Sequence, residues 1–245
     1  GSDVVPETHT KDGFLIRGAE MTRLETFVDA AFAFAVTLLV IGGGDNIPAS
    51  YGEFVLAIQR VPAFALCFAN IAFFWYAHYT WSRRYGLEDA RSTFLSLVLI
   101  FIVLVYVYPL KASYSGAFLF LPGVTAESAF AFASADDFRA VLIIFGIGYS
   151  SLSSVILLLN WHALKVADAI ELTPRERFDT VTTVQFWLAS TLVPLGSVLL
   201  ALFTEGAWLA AAGSFYGVFG LVMPSIRIRR GRQRRLLFGD DASSP

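Results

Sequence analysis

Six long apolar segments run through the 245-residue chain and restrict its fold more than any other feature. Each is close to the roughly 20 residues that a helix needs to cross the hydrocarbon core of a bilayer. Alternation of period two, the pattern of a transmembrane β-barrel, is absent from them. We therefore predict an all-α membrane protein with six transmembrane helices. These helices are predicted at about 22–43, 54–80, 91–110, 138–162, 178–203 and 206–224.

The composition supports the same class of protein. Hydrophobic residues make up 56% of the chain and charged residues only 16%, whereas about a quarter of the residues in soluble domains are charged. The single cysteine, Cys67, lies in an apolar run, which excludes a disulfide within the chain and predicts a small buried side chain. Three histidines without clustered carboxylates predict no metal site. The segment "GYSS" at 148–151 lacks the Gly-x-Ser-Gly form of an intramembrane protease, and His162 lies on the same helix, so we expect no enzyme, no catalytic residues and no cofactor.

The positive charges indicate how the helices are oriented. The segment "RIRRGRQRR" follows the sixth helix, and the loops after helices two and four are also basic, whereas the other loops are mainly acidic. The positive-inside rule then predicts a multi-pass protein of the cell membrane with both termini in the cytoplasm. We interpret the basic segment as a topology anchor that also contacts anionic lipid, and not as a nucleic-acid-binding element.

This pattern divides the chain into three regions. Residues 1–21 are predicted to be an N-terminal tail, disordered around His9, and the Gly1-Ser2 start is typical of an expression-tag remnant. Residues 22–224 form the predicted six-helix membrane domain, and residues 225–245 form a basic cytoplasmic tail.

The first apolar segment, "RLETFVDAAFAFAVTLLVIGG", begins at Arg23 and carries Asp29 just inside the helix. At about 100° per residue, its side chains divide into two faces. Asp29 lies off the main apolar stripe, and a carboxylate at that depth requires a partner on another helix. The stripe consists of Phe27, Ala30, Phe34, Thr37, Leu38 and Ile41.

Helix two offers such a partner at a matching depth. His78 lies near its inner end, and Trp75 is three residues earlier on the same face. We predict a charge-assisted contact between Asp29 and His78, with the Trp75 indole as a further donor. Alternatively, His78 and Trp75 simply belong to the aromatic belt at the membrane interface, together with Tyr76, Tyr79 and Trp81.

These residues carry a family resemblance. Arg23-x-x-x-Phe27-Val28-Asp29 resembles the Arg-x-x-x-Phe-Ser-Asp signature of the transmembrane protein 175 family, the lysosomal potassium channels and their prokaryotic relatives. The run "FWYAHY" resembles the Trp-x-x-His segment of that family's second helix, and "VYVYPL" its proline-terminated third helix. Two positions differ, because Val28 replaces the usual serine and Phe34 stands where isoleucine or leucine is more usual.

The resemblance implies a potassium-permeable cation channel, a homotetramer in which four copies of helix one surround a central pore. The permeant ions implied by the resemblance are monovalent cations, and potassium is the main one. The implied apolar constriction falls on Phe34 and the hydroxyl ring on Thr37, with further apolar rings at Leu38 and Ile41. These four positions all belong to the stripe obtained from the helical angles. The implied packing network at the cytoplasmic end comprises Arg23, Phe27, Asp29, Trp75 and His78.

Other interpretations of the same residues stay open. Phe34 would then be an ordinary packing residue, and the Thr37 hydroxyl would bond to its own helical turn. A proton-coupled secondary transporter would use Asp29 and His78 as a relay, although the chain lacks the paired Gly/Pro interruptions typical of such carriers. A non-conducting structural or lipid-binding protein is the remaining alternative.

Overall fold

The computed structural model describes residues 8–41, 47–117, 134–206, 209 and 217–239. In these residues the chain forms six α-helices, which confirms the predicted all-α class. Their bounds are α1 Arg23–Ile41, α2 Tyr51–Tyr85, α3 Ala90–Ala117, α4 Ala135–Lys165, α5 Pro174–Phe203 and α6 Val218–Phe238.

Helices α2 to α5 are the four described helices that are long and apolar enough to cross a membrane. Helices suit this environment because they satisfy their backbone hydrogen bonds internally. Large apolar side chains, including Phe101, Ile144 and Leu192, are exposed on their outer surfaces. Soluble monomers rarely expose contiguous apolar surface on this scale, so these faces fit a lipid environment.

Several helix bounds differ from the sequence prediction. Helix α3 continues through Pro109 to Ala117 instead of ending near residue 110. Proline is tolerated within membrane helices because neighbouring groups satisfy the backbone that it frees. Residues 207–208 and 210–216 of the predicted sixth helix, 206–224, lie outside the described residues, as do residues 118–133 of the outer loop, 111–136. The described part of α6 starts at Val218 and runs without a break through the basic segment.

The helix ends are set by local capping. The side chains of Ser50, Ser134 and Thr173 each accept a backbone hydrogen bond from the first turn of the helix that follows. Thr173 and Glu176 form a reciprocal capping box at the start of α5. Gly86 ends α2 in the left-handed region with φ +58°, where a Cβ would lie 2.7 Å from Arg17 O. This glycine therefore allows the N-terminal segment to lie against the end of α2.

The helices pack around one main core, with a smaller buried cluster that contains Ala201 and Leu209. Helix α1 packs against α2 and α3, α3 against α4, α4 against α5, and α5 against α6. Cys67 is a free thiol in this core, as predicted. At Gly148 a Cβ would lie 2.3 Å from the Tyr106 ring, so the glycine permits the close approach of α4 to α3. Because α1 makes its main contacts with α2 and α3, it lies at the edge of the bundle, with described helices on one side of it.

Residues 8–22, which precede α1, are ordered, and this corrects the expectation of disorder around His9. His9 and Leu15 form an antiparallel bridge, and Gly13 turns the chain between them with φ +84°. The Phe14 ring is buried and meets the Tyr85 ring edge-on at 6.1 Å. Tyr85 in turn bonds to Thr180 of α5 at 2.9 Å. The N-terminal segment is therefore part of the folded unit.

Candidate functional site

Helix α1 has one buried face and one exposed face. Val28, Phe32, Ala35 and Leu39 are buried against α2 and α3. The exposed face follows the stripe predicted from the sequence over most of its length. The exposed face contains Phe27, Ala30, Phe34 and Thr37 of the stripe, together with Ala33.

The four candidate pore residues have different environments. Phe34 is 56% exposed. Thr37 is also exposed, and its hydroxyl donates to Ala33 O at 3.0 Å, so it does bond to its own turn. Leu38 is partly buried and packs against the core at the border of the exposed face. The side chain of Ile41 lies outside what the structure describes. That these residues line a pore remains a prediction.

Asp29 is held by an aromatic partner on α2. The Trp75 indole Nε1 donates to Asp29 Oδ1 at 2.8 Å. The indole stacks on Tyr79 at 5.6 Å, and the guanidinium of Arg83 lies 5.4 Å from the centroid of the Tyr79 ring. Trp75 therefore belongs to a specific network as well as to an aromatic surface, and it supplies the donor that was predicted for Asp29.

His78 has a different partner from the one predicted. Its buried imidazole Nε2 lies 3.0 Å from the Ser96 hydroxyl of α3, so Asp29 and His78 bond to separate groups. The sequence did contain a signal for this contact, because a serine within an apolar helix, here Ser96, can hydrogen-bond to a neighbouring helix. Arg23 and Phe27 are exposed, outside the Asp29–Trp75 contact.

The Asp29–Trp75 bond makes a testable contribution to stability. Replacing Trp75 by phenylalanine keeps an aromatic ring but leaves the half-buried carboxylate without its indole donor. We expect a loss of about 1–3 kcal/mol in unfolding free energy, measured by thermal denaturation in detergent. The matched control is Trp161→Phe, at an exposed position, where a change within about 0.5 kcal/mol is expected. Equal losses in both variants would contradict this role.

Cationic side chains hold both ends of α1. At the N-terminal end, Arg83 Nη2 lies 3.2 Å from Glu25 Oε1 in the first turn of α1. In the segment just before the helix, Arg83 Nη1 donates to Gly18 O at 2.6 Å and to Ala19 O at 3.0 Å. At the C-terminal end, Lys111 Nζ of α3 donates to Leu39 O at 3.1 Å. A cation next to the last carbonyls of a helix also interacts favourably with its dipole. The candidate pore helix is thus fixed to α2 and α3 at its two ends.

Arg17 fixes the segment before α1 to the far side of the bundle. Its Nη1 and Nη2 donate to Glu176 Oε1 and Oε2 at 2.9 and 2.8 Å, a bidentate ion pair. Its Nε donates to Ile170 O at 2.8 Å and its Nη2 to Glu171 O at 3.0 Å. The Leu15 amide also donates to Glu176 Oε1, at 2.8 Å. We refer to residues 8–18 and these partners as the N-terminal clasp.

Asp89, in the loop between α2 and α3, joins this loop to the end of α4. Its Oδ2 lies 2.7 Å from His162 Nε2, and the Ser92 hydroxyl donates to Oδ1 at 2.5 Å. Burial opposes ionisation of Asp89, but the hydrogen bonds from Ser92 and His162 outweigh it and lower the pKa of this carboxyl below its ordinary value. The loop is therefore tied to the bundle by a carboxylate.

These features define an all-α, multi-pass membrane protein in which the first helix presents a partly polar face away from its own bundle. A family model described as the endosomal/lysosomal potassium channel TMEM175 matches residues 23–109. A potassium channel of Marivirga tractuosa is 35% identical over 196 residues, which cover 77% of this chain and 78% of that protein. The chain belongs to the TMEM175 potassium channel family.

A solved structure agrees with this assignment. It is the crystal structure of a threonine-to-alanine variant of the potassium channel MtTMEM175, in complex with a nanobody–MBP fusion protein. Its TM-score to this chain is 0.76 at 31% sequence identity, and the match covers 92% of this chain and 98% of that one. The similarity therefore includes helices four to six, where the sequence resemblance is weak and rests mostly on hydropathy, as well as helices one to three, where it is specific.

Proposed function

We propose that four copies of this chain form a potassium-permeable cation channel in the cell membrane, with α1 of each copy lining a central pore. The observation that carries the proposal is the exposed face of α1, which combines Phe34 with the hydroxyl of Thr37. Membership of the potassium channel family supports the choice of ion.

The exposed face suits close packing around an axis. Ala30 and Ala33 are small and lie beside Phe34 and Thr37 on the exposed surface. Small residues let membrane helices approach one another closely. Four such helices would place the phenyl rings and the hydroxyls toward the axis, with Ala30 between them and Ala33 at the border that faces a neighbouring copy.

The chemistry of Thr37 suits contact with a cation. Its hydroxyl hydrogen is used in the bond to Ala33 O at 3.0 Å, which leaves oxygen lone pairs free to point outward. Four such oxygens would replace part of the hydration shell of a potassium ion. Phe34, one turn earlier, would form an apolar constriction whose ring faces can also attract a cation.

The orientation proposed from the sequence is supported by where the basic groups gather. Arg84 at the end of α2 pairs with Asp12 at 2.9 Å, and Arg234 of α6 pairs with Asp179 of α5 at 3.1 Å. Arg234 Nη2 also lies 3.5 Å from Asp12 O, so the N-terminal segment and the basic part of α6 meet at one end of the bundle. We assign this end to the cytoplasm, where the basic residues also contact anionic lipid.

The transporter alternative receives less support. A relay between Asp29 and His78 requires a proton path between the two side chains. Instead, Asp29 accepts from Trp75 at 2.8 Å and the His78 ring lies 3.0 Å from the Ser96 hydroxyl. These bonds favour a packing role for both residues. The channel requires no cofactor, and potassium is its permeant ion.

Imaging and flux together test this proposal. Images of the protein in detergent should show four-fold symmetry with α1 at the axis, and liposomes containing it should take up potassium. Thr37→Val should lower the potassium-to-sodium permeability ratio by about fivefold or more, the equivalent of roughly 1 kcal/mol of ion–oxygen interaction. The matched control is Thr183→Val, because Thr183 makes the same type of bond, to Asp179 O at 3.0 Å, on α5 instead of α1.

Two results would reject the channel arrangement. One is an assembly in which α1 faces lipid or in which the symmetry is not four-fold. The other is a Thr37→Val channel with the wild-type permeability ratio. Saturable, proton-coupled uptake would favour the transporter instead.

A further inference from the structure

The last helix, α6, is held against α5 by one of its faces. Arg230 Nε donates to Thr182 Oγ1 at 2.9 Å and its Nη2 donates to Phe178 O at 3.1 Å, while the guanidinium lies 3.9 Å from the centroid of the Phe178 ring. The Phe238 ring meets the same ring edge-on at 5.8 Å. Arg230, Arg234 and Phe238 recur every four residues and all contact α5, so they form the attached face of α6.

The opposite face of α6 combines arginines with aliphatic side chains. At 100° per residue, Arg229, Arg232 and Leu236 lie within about 60° of one another and about 180° from the attached face. All three are exposed, Leu236 to 86%, and Ile228 beside them is 59% exposed. Within the described residues, neither arginine of this face has a hydrogen-bond or ion-pair partner. We refer to these four residues as the open face of α6.

The open face lies at the level where α5 enters its apolar span. Arg230 joins α6 to the first three turns of α5, a helix that is long and apolar enough to cross a membrane. All charged residues of α5 precede Thr180, and the rest of that helix to Phe203 is uncharged. Among the described helices, α6 packs mainly on α5, so its other side is not covered by the bundle. The open face is therefore beside the boundary between water and hydrocarbon.

The chemistry of the open face indicates what covers it. Arg229 and Arg232 are one helical turn apart, so both guanidinium groups can donate to the same phosphate group. Exposed aliphatic side chains between basic ones are typical of helices that lie at the surface of an anionic membrane. A nucleic acid would match the arginines but would leave Ile228 and Leu236 in water. Together the two kinds of side chain fit the headgroup and upper acyl chains of a phospholipid.

We propose that the open face of α6 is a binding site for one anionic phospholipid. The phosphate group accepts hydrogen bonds from Arg229 and Arg232, and the acyl chains contact Ile228 and Leu236. The inference rests on the proposed function, which places this end of the bundle at the cytoplasmic surface of the membrane. It deepens that proposal by assigning lipid binding to one face of α6 and attachment to α5 to the other.

Titration of the full-length protein in detergent, followed by native mass spectrometry, tests the proposal with dioleoyl phosphatidylglycerol as the probe. We expect one tightly bound probe molecule per chain. The double variant Arg229→Gln/Arg232→Gln should weaken binding by about tenfold or more, since each basic residue near an anionic surface contributes about fivefold. The matched control, Lys11→Gln/Arg91→Gln, removes two exposed positive charges from the same end of the bundle and should retain binding.

Two comparisons distinguish a lipid from other anions. Leu236→Ser should weaken binding by about fivefold or more, because it removes apolar contact with the acyl chains. Glycerophosphoglycerol, the headgroup without acyl chains, should not displace the probe. Its displacement of the probe would overturn the proposal in favour of a phosphate site, and displacement by a short oligonucleotide would overturn it in favour of a nucleic-acid surface.

The control variant also decides whether the site is local. If Lys11→Gln/Arg91→Gln loses as much affinity as Arg229→Gln/Arg232→Gln, the lipid responds to the total charge of this end of the bundle, and the proposal is wrong. None of these measurements involves ion flux. A failure here would therefore leave the channel proposal to its own tests of symmetry and permeability.

Discussion

Replacing Phe34 by leucine is expected to increase potassium flux per reconstituted channel by about tenfold or more. The Phe34 side chain is 56% exposed on the face of α1 that we place toward the pore. Four phenyl rings at one level would narrow the path and exclude water from it, whereas leucine leaves more room. Lowering the barrier by about 1.4 kcal/mol is enough for a tenfold change in rate. Potassium flux into liposomes, divided by the number of assembled channels, gives this value directly.

Helix α1 offers a matched control two residues away. Phe32 is 3% exposed and faces α2 and α3, so Phe32→Leu makes the same chemical change on the opposite side of the helix. This variant should lose less than about 1.5 kcal/mol of stability, because the change in side-chain volume is modest. Its flux per channel should stay at the wild-type value.

The comparison of the two variants decides the role of the exposed face. If Phe34→Leu assembles normally but conducts as the wild type does, Phe34 is a packing residue between subunits or against lipid. If Phe32→Leu changes flux as strongly as Phe34→Leu, the effect passes through the packing of α1, and the pore assignment loses its basis.

The two faces of α1 could be predicted because helical periodicity is a local property. Phe27, Phe34 and Thr37 recur at a spacing that places them on one side of any α-helix, whatever its surroundings. The structure shows this side exposed. The edge of the face was less predictable, since Leu38 packs partly against the core. How deeply a border residue is buried depends on neighbouring helices, which the periodicity of one helix does not describe.

The partner of Asp29 shows the same division between local and tertiary information. Depth and spacing identified α2 as the source of the partner, and Trp75 does donate to Asp29. The imidazole of His78, one turn later, bonds to Ser96 because α3 also packs there. Matching the depths of two helices cannot account for the groups that a third helix brings between them.

The N-terminal clasp was missed for a related reason. Arg17 and Glu176 are 159 residues apart, so no local pattern connects them. The apolar run directly before Arg17, Phe14 to Ile16, is only three residues long and lies within an otherwise polar tail, so the sequence does not indicate that it is buried. Its order depends on contacts with the first turn of α5 and with the end of α2, and both contacts exist only in the folded bundle.

Arg17→Ala is expected to destabilise the fold by about 3–5 kcal/mol. The substitution removes the bidentate partner of Glu176, whose side chain is 3% exposed, and leaves that carboxylate without its compensating charge. It also removes donors to Ile170 O and Glu171 O in the loop before α5. The loss should appear as a lower unfolding temperature in detergent.

Two further substitutions separate the fork geometry of Arg17 from its charge. Arg17→Lys keeps the positive charge but cannot donate to both carboxylate oxygens as a planar fork, so an intermediate loss is expected. Asp12→Asn removes a partner of Arg84 in the same segment, but this carboxylate is largely exposed. Exposed pairs contribute at most about 1 kcal/mol, so Asp12→Asn should remain close to wild type.

Hydrogen exchange distinguishes release of the clasp from a general loss of stability. The Leu15 amide donates to Glu176 Oε1, and the Arg17 and Gly18 amides donate to Arg83 O. In Arg17→Ala these amides should lose protection before those of α4 and α5, because local opening needs less free energy than global unfolding. The segment leads directly into α1, so its release should also free Gly18 and Ala19 from Arg83. Equal loss of protection throughout the bundle would mean that Arg17 stabilises the fold as a whole, and that α1 has no separate clasp at its N-terminal end.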